Sequence, residues 1–250
     1  MNSLIILQSE CVDGSCAVLT GRRAQYAFET HGLRAGQRIK VGIFGGLRGE
    51  GDVTECSEER VVINLLVNME ALPARPVDLI VGVSRPQTVK KVIQAAVMLG
   101  VQSLHFVRSE RGEKSYLQST ALLPDHIEEE TVKALEQVWD TRAPQVSVHR
   151  TFDYFCKNRL QSIGASAASL RIVADPHGQP LRSVAQLHST KSTAAGVVVA
   201  IGPERGWSDS EVDAFRRASF HVVGLGERVL RVELALTFLL GQLDVALPQG

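Results

Sequence analysis

The sequence predicts an α/β protein in which a small domain of strands precedes a parallel sheet covered by helices. From residue 77 onward, strand-like and helix-like segments alternate, which is typical of a parallel sheet with helices on both faces. Before residue 70 the apolar segments are short and β-branched, and glycines separate them as turns would. Glu70–Pro76 carries two prolines and is interpreted as a linker. We therefore expect two domains, at 1–72 and 73–250.

The first domain is predicted to be a small barrel-like unit with one short helix. The helix would cover 20–31, with Thr20 as its N-cap. Glycines are dense between positions 42 and 51, as expected for tight turns between strands. The strands are predicted at Leu4–Leu7, Arg38–Phe44 and Val61–Val67.

The second domain is predicted to alternate six strands with five helices. Gly100 follows the first helix as a C-cap, Pro124 suits the start of the second, and Ser208 and Glu211 form a capping box for the fourth. In such sheets, ligands bind outside the carboxyl ends of the strands. The predicted strands are Val77–Val83, Ser103–Val107, Gln145–His149, Leu170–Ala174, Gly196–Ile201 and His221–Leu225. The predicted helices are Gln87–Leu99, Pro124–Asp140, Phe152–Ser162, Asp209–Ala218 and Val229–Val245.

Composition excludes several classes of protein. No apolar run approaches the roughly 18–20 residues of a membrane span, so no membrane partner is expected. The first eight residues lack the basic start of a secretory signal. None of the four cysteines forms a Cys-x-x-Cys pair or has a histidine at metal-ligand spacing, so no metal is expected. Free thiols in a reducing cytoplasm are the simplest interpretation.

The charge is balanced overall but segregated along the chain. The formal net charge is zero, which argues against a generally basic nucleic-acid-binding surface. A basic stretch is opposed only by Glu29, and acidic residues follow it between positions 50 and 59. The basic stretch forms either one cationic face or an ordinary solvated surface. Its members are Arg22, Arg23, Arg34, Arg38, Lys40 and Arg48.

Two glycine-bearing loops are the strongest candidates for a functional site. In the first, a buried strand runs into Gly202-Pro-Glu-Arg-Gly206, just before a capped helix. In the second, a strand ends at Gly224 and Gly226 before the last helix. Glycine lets a ligand approach the backbone, although either loop could simply be a tight turn. Neither is a phosphate-binding motif, so a dinucleotide or triphosphate is poorly supported.

Arg231 lies where the second loop enters the helix and could be a cation held over a substrate. The alternative is a salt bridge to Glu227 or Glu233.

In this order, the two loops resemble those of the RsmE-type methyltransferases, which modify N3 of a uridine in 16S ribosomal RNA and belong to the SPOUT superfamily. That family has a Gly-Pro-Glu-Gly-Gly loop and a later Leu-Gly-x-x-x-Leu-Arg-Thr-Glu-Thr-Ala segment. Here the corresponding segments are Gly202–Gly206 and Leu225–Ala235. Weaker similarity covers nearly the whole chain, at Leu19–Arg23, Leu33–Gln37, Gln94–Val101, Glu136-Gln137, Arg142 and Pro144.

The resemblance implies a PUA-like RNA-binding barrel followed by a SPOUT domain with a trefoil knot, acting on 16S ribosomal RNA as a homodimer. It implies S-adenosylmethionine as the cofactor, held largely by backbone groups. The matching cofactor residues are Ala174, Ile201, Gly202, Gly206, Leu225, Gly226, Val229 and Leu230. Arg231 would stabilise the uridine anion, and Glu204 and Glu233 would accept a proton or orient Arg231. The expected RNA-binding residues are Arg22, Arg23, Arg34 and Arg142.

Departures from the family pattern leave two alternatives open. Val232 and Leu234 replace two threonines, Arg205 replaces a glycine, and Asp140 stands where arginine is frequent. One alternative is a non-catalytic RNA-binding or ribosome-assembly protein on a degenerate SPOUT scaffold. The other is a SPOUT methyltransferase with a different RNA target, because a fold does not fix a substrate.

Overall fold

The computed structural model describes residues 3–164, 169–188 and 196–246. The chain divides into two compact units: Met1–Ala74 with Thr131–Ala143, and Arg75–Glu130 with Pro144–Gly250. The predicted class, α/β with a parallel sheet after a smaller β domain, is confirmed by the two sheets. The packing of residues 131–143 with the first unit was not predicted.

The first unit is built on a five-stranded sheet in the order β1-β3-β4-β5-β2. Its pairs are antiparallel except for β1 and β3, which run parallel. Leu4, Leu19, Val41 and Ile63 are fully buried in its core. The predicted helix is a five-residue α-helix, α1 (Gly21–Gln25), followed by a π-helical turn. The strands are β1 (Leu4–Ile6), β2 (Cys16–Thr20), β3 (Arg38–Ile43), β4 (Arg48–Cys56) and β5 (Arg60–Met69).

Residues 131–143 are an integral part of this unit. The Glu136 side chain is only 3% exposed, and its carboxylate accepts a 3.2 Å hydrogen bond from the Ile5 backbone N–H. The Trp139 indole N–H donates to the Val41 carbonyl at 3.2 Å, and the Lys40 ammonium lies 4.4 Å from the ring centroid. Residues 131–143 therefore supply hydrogen-bond partners for backbone groups of β1 and β3 that residues 1–74 alone do not provide.

The second unit contains six parallel strands in the order β11-β9-β10-β6-β7-β8. The strands are β6 (Arg75–Gly82), β7 (Val101–Val107), β8 (Gln145–His149), β9 (Leu170–Pro180), β10 (Val197–Ile201) and β11 (His221–Gly224). The helices after α1 are α2 (Pro86–Met98), α3 (Pro124–Val138), α4 (Phe152–Asn158), α5 (Leu181–His188), α6 (Asp209–Arg217) and α7 (Val232–Ala246). The residues of α3 from Thr131 onward belong to the first unit. β10 is buried along its whole length, as a central parallel strand should be.

Three element boundaries in the second unit differ from the prediction by three residues or more, and α5 was not predicted. β9 continues to Pro180 instead of ending at Ala174, because its later residues pair with β11 after an irregularity. α4 ends at Asn158, since Arg159 leaves helical geometry at φ −130°. α7 begins at Val232, and the Arg231 carbonyl accepts its first helical hydrogen bond, from Ala235 at 2.8 Å. Residues 229–231 therefore form a loop.

Among the described residues, no helix is both long and apolar enough to cross a membrane. No group of three or more His, Cys, Asp or Glu side chains in these ranges is placed to hold a metal ion. The thiols of Cys11, Cys16, Cys56 and Cys156 are free.

Candidate functional site

The candidate cofactor residues lie at the carboxyl edge of the parallel sheet. Ile201, the last residue of β10, pairs with Ala174 of β9 on one side and with Val81 of β6 on the other. β11 lies beside β9, where Val222 pairs with Val173. The loops that follow these neighbouring strands therefore leave the same edge, where ligands bind in sheets of this kind.

The loop after β10 requires glycine at two positions for different reasons. A Cβ atom on Gly202 would lie 2.7 Å from the Trp207 amide nitrogen and 2.8 Å from the Gly206 Cα. Gly206 has φ +70°, a backbone conformation that residues with a side chain rarely adopt. Its N–H donates to the Pro203 carbonyl at 2.8 Å, which closes a tight turn. Only glycine at both positions allows the backbone to fold back on itself here.

The backbone of the loop after β11 has free space around its glycine, unlike the crowded turn after β10. Gly226 has φ +112°, and no atom lies within 4 Å of where its Cβ would stand. Leu225 and Leu230 are half-buried, whereas Val229 is 83% exposed. An exposed apolar side chain beside an open glycine backbone is a surface that an apolar or planar ligand could cover.

A buried carboxylate fixes the loop after β10. Glu211, on the first turn of α6, accepts a 2.8 Å hydrogen bond from the Ser208 N–H, which completes the predicted capping box. Its other oxygen accepts a 2.7 Å bond from the Glu110 N–H, in the loop after β7, and the sequence did not reveal this contact. Burial raises the pKa of the Glu211 carboxyl. Glu211 thus ties two neighbouring loops of the carboxyl edge together.

The two candidate catalytic glutamates contact α2 rather than Arg231. One carboxylate oxygen of Glu204 accepts hydrogen bonds from the Arg85 N–H and the Thr88 hydroxyl, each at 3.1 Å. Glu233 forms an ion pair with Lys91, with a nitrogen–oxygen distance of 3.2 Å. The amino-terminal half of α2 is therefore attached to the first glycine loop and to the first turn of α7. This role of α2 was not predicted, although Arg85 follows a predicted strand at the same edge.

Arg231 occupies the N-cap position of α7, and its side chain is exposed. Within the described ranges, its guanidinium has no ion pair or hydrogen bond, so the salt bridge to Glu227 or Glu233 considered above is not formed. Its position at the carboxyl edge leaves the charge available to a substrate.

Most candidate RNA-binding arginines of the first unit are engaged within the protein. Arg23 pairs with Glu10 at 2.9 Å and also donates to the Ile5 carbonyl. Arg34 donates to the Leu33 carbonyl at 2.6 Å, and Arg142 donates to the Leu72 carbonyl at 2.9 Å. Arg22 is exposed and, in the described part of the chain, has no side-chain partner.

Comparison with known proteins places these loops in a family. A sequence profile described as an RNA methyltransferase domain matches residues 70–244, which include both glycine loops. The chain is 29% identical over 238 residues to ribosomal RNA small subunit methyltransferase E of Treponema pallidum, covering 94% of this chain and 87% of that protein. It is 22% identical over 240 residues to ribosomal RNA small subunit methyltransferase E 1 of Borreliella burgdorferi, covering 94% of each.

The fold also matches a solved structure. The crystal structure of ribosomal RNA small subunit methyltransferase E from Neisseria gonorrhoeae, bound to S-adenosylmethionine, superimposes with a TM-score of 0.73 at 18% identity. The alignment covers 97% of each chain, so the two proteins share their fold. The profile covers most of the sequence and includes both glycine loops at the carboxyl edge of the sheet. The chain therefore belongs to the RNA methyltransferase domain family.

Proposed function

We propose that this protein transfers a methyl group from S-adenosylmethionine to ribosomal RNA of the small subunit, at N3 of a uridine. The observation that carries the proposal is that the two glycine loops and the irregular part of β9 lie at one edge of the sheet. The names of the relatives in Treponema and Borreliella support ribosomal RNA as the substrate. The resemblance stated above supports N3 of uridine.

The described residues fit the cofactor. S-adenosylmethionine carries a planar adenine ring, and it supplies an electrophilic methyl group when bound. The open backbone at Gly226 and the exposed side chain of Val229 suit such a ligand, and no phosphate-binding group is needed. The residues proposed to hold it are Ala174, Ile201, Gly202, Gly206, Leu225, Gly226, Val229 and Leu230.

Arg231 is proposed as the residue that stabilises the negative charge on the acceptor base. N3 of uridine must lose its proton before it can accept a methyl group, and a guanidinium nearby favours the resulting anion. Arg231 is exposed at the end of the second glycine loop, and its guanidinium has no partner among the described residues. Glu204 and Glu233 are better suited to positioning, because their carboxylates attach α2 to the first glycine loop and to α7.

The test compares Arg231→Ala with Arg216→Ala, a control that removes an exposed arginine of α6 paired with Asp213. Methyl transfer to small-subunit ribosomal RNA and cofactor affinity are measured for both. Arg231→Ala should lose about 10²–10³ in rate, as when one donor to a developing anion is deleted, with unchanged cofactor affinity. Arg231→Lys should recover only part, because a point charge lacks the planar fork of guanidinium. A folded Arg231→Ala protein with the full rate would contradict the assignment.

A non-catalytic RNA-binding protein is the second candidate, and the residues beside Glu233 favour it. Val232 is buried and Leu234 is 51% exposed, in the positions where the family carries threonines. Neither side chain can form a hydrogen bond with a substrate or accept one from the Arg231 guanidinium. Calorimetry with S-adenosylmethionine separates the two candidates, because the non-catalytic protein should release no heat of binding.

The homodimer expected from the resemblance is proposed to form through α7. This helix exposes large apolar side chains, with Leu234 at 51%, Phe238 at 45% and Val245 at 90% exposure, and Met98 of α2 is 42% exposed. Clustered exposed apolar residues mark interaction surfaces in many proteins. Sedimentation of the protein and of Phe238→Glu tests this, since the substitution should yield monomers. A monomeric parent protein would contradict it.

A further inference from the structure

We propose that the methyl-transfer edge itself grips the phosphate backbone of the substrate RNA, through Arg85, Arg205 and Arg228. This inference rests on the proposed function, and it names the groups that hold the RNA strand beside Arg231. We define these three residues as the edge arginines. Each lies in a different loop: Arg85 after β6, Arg205 after β10 and Arg228 after β11.

The edge arginines are exposed, and their charge is not neutralised by an ion pair among the described residues. None of the three guanidiniums has an ion pair or hydrogen bond among the described residues, and all three residues are exposed. By contrast, Arg38 in the first unit donates to Asp52 through two nitrogens, at 2.7 and 2.9 Å. An arginine whose donors are already bonded must break those bonds to bind a phosphate, whereas an edge arginine need not.

Direct contacts hold the three loops and their helices next to one another. The Arg85 N–H donates to Glu204, the neighbour of Arg205, at 3.1 Å. Gly82 packs against Pro203, because a Cβ atom on Gly82 would lie 2.6 Å from the Pro203 nitrogen. On the other side, the ion pair between Lys91 and Glu233 joins α2 to the first turn of α7. The three loops that carry the edge arginines therefore lie close together at the carboxyl edge of the sheet.

The glutamates beside the edge arginines do not cancel their charge. Glu204 accepts hydrogen bonds from the Arg85 N–H and the Thr88 hydroxyl, and Glu233 pairs with Lys91. Glu227 has no such contact among the described residues. The edge arginines, Arg231 and Lys91 carry five positive charges, against three negative charges on Glu204, Glu227 and Glu233.

A flexible chain with regularly spaced negative charges fits this arrangement. Guanidinium binds phosphate oxygens through paired N–H donors, so separate loops can hold successive phosphates of one strand. Arg205 stands where the family motif has glycine, which gives this chain a cation that the family pattern does not provide. The edge arginines would thus position the strand, while Arg231 addresses the acceptor base.

The experiment measures binding of a fluorescently labelled small-subunit ribosomal RNA fragment as a function of salt concentration. The variant Arg205→Gln with Arg228→Gln is compared with Arg216→Gln with Arg217→Gln. The control pair removes the same charge from exposed arginines in the last turn of α6, which runs away from the carboxyl edge. Calorimetry with S-adenosylmethionine is run on every variant.

The edge variant should make the negative slope of log affinity against log salt shallower by about 1.4, because each phosphate contact with a single strand contributes about 0.7 to its magnitude. The α6 control should keep the parent slope, and Arg85→Gln alone should make it shallower by about 0.7. Equal losses in both double variants, or no loss in the edge variant, would overturn the inference even if the cofactor binds. Failure of the parent protein to bind the cofactor would instead overturn the proposed function. The two failures can be told apart, because RNA binding at each salt concentration is measured without cofactor.

Discussion

Gly202→Ala is the substitution for which the structure gives the clearest expectation. The added methyl group would lie 2.7 Å from the Trp207 nitrogen and 2.8 Å from two Gly206 atoms, all of them backbone. Ordinary contacts of a Cβ atom begin at about 3.4 Å, so the turn must open by several tenths of an ångström. The turn resists this movement because Trp207 is 1% exposed in the core and Glu211 holds the Ser208 N–H.

Forcing an extra methyl group into a packed site costs about 1–3 kcal/mol. If the loop stays closed, that cost lowers the free energy of unfolding. If the loop opens to relieve the clash, the backbone groups proposed to hold the cofactor move, and its affinity falls instead. Because 1.4 kcal/mol corresponds to a tenfold change, the affinity loss would be about 5- to 150-fold.

The assay combines urea unfolding with calorimetric titration of S-adenosylmethionine. Gly241→Ala is a suitable control, since Gly241 lies within α7 with open space around its Cβ position. The control should gain about 0.5–1 kcal/mol of stability, because alanine is the better helix former, and should leave cofactor affinity unchanged. A Gly202→Ala protein with both the stability and the affinity of the parent would refute the reasoning about this loop.

Three further predictions concern other parts of the chain. Gly226→Ala should weaken cofactor binding with no steric clash, because it strains a backbone at φ +112°, and unchanged affinity would count against the second loop. Burial and the neighbouring His149 lower the pKa of His105 from 6.5 to about 4, so the unfolded chain binds the extra proton between these values. The unfolding free energy should therefore fall by about 2–3 kcal/mol as the pH drops from 7.5 to 4.5. His105→Asn should abolish this part of the pH dependence, as measured by urea unfolding at both pH values. A fragment of residues 1–74 should show no cooperative thermal unfolding, because it lacks Glu136 and Trp139, and a folded fragment would contradict this.

Much of the second unit could be predicted because its sequence obeys local rules. Buried parallel strands give continuous apolar runs such as Val197–Ile201, and the capping box at Ser208 and Glu211 marks the start of α6. The glycines of the two loops were identified by their position after strands. Gly202 and Gly206 prove to be required by backbone geometry, which the sequence could only suggest.

The features that the sequence missed depend on contacts between distant residues. The packing of 131–143 with the first unit relies on the bond between Glu136 and Ile5, which are 131 positions apart. The bond from Arg85 to Glu204 spans 119 positions. The cationic stretch in the first domain looked available for RNA because sequence cannot show that Arg23 and Arg34 donate their hydrogen bonds internally.

The most direct test of the central claim is the methylation state of the small-subunit ribosomal RNA. Nucleosides and mapped fragments of 16S RNA would be compared by mass spectrometry between cells that contain the protein and cells from which its gene is deleted. The deletion should remove one methylated uridine, the parent gene should restore it, and Arg231→Ala should restore little of it. Identical methylation of 16S RNA in normal and deletion cells would contradict the account.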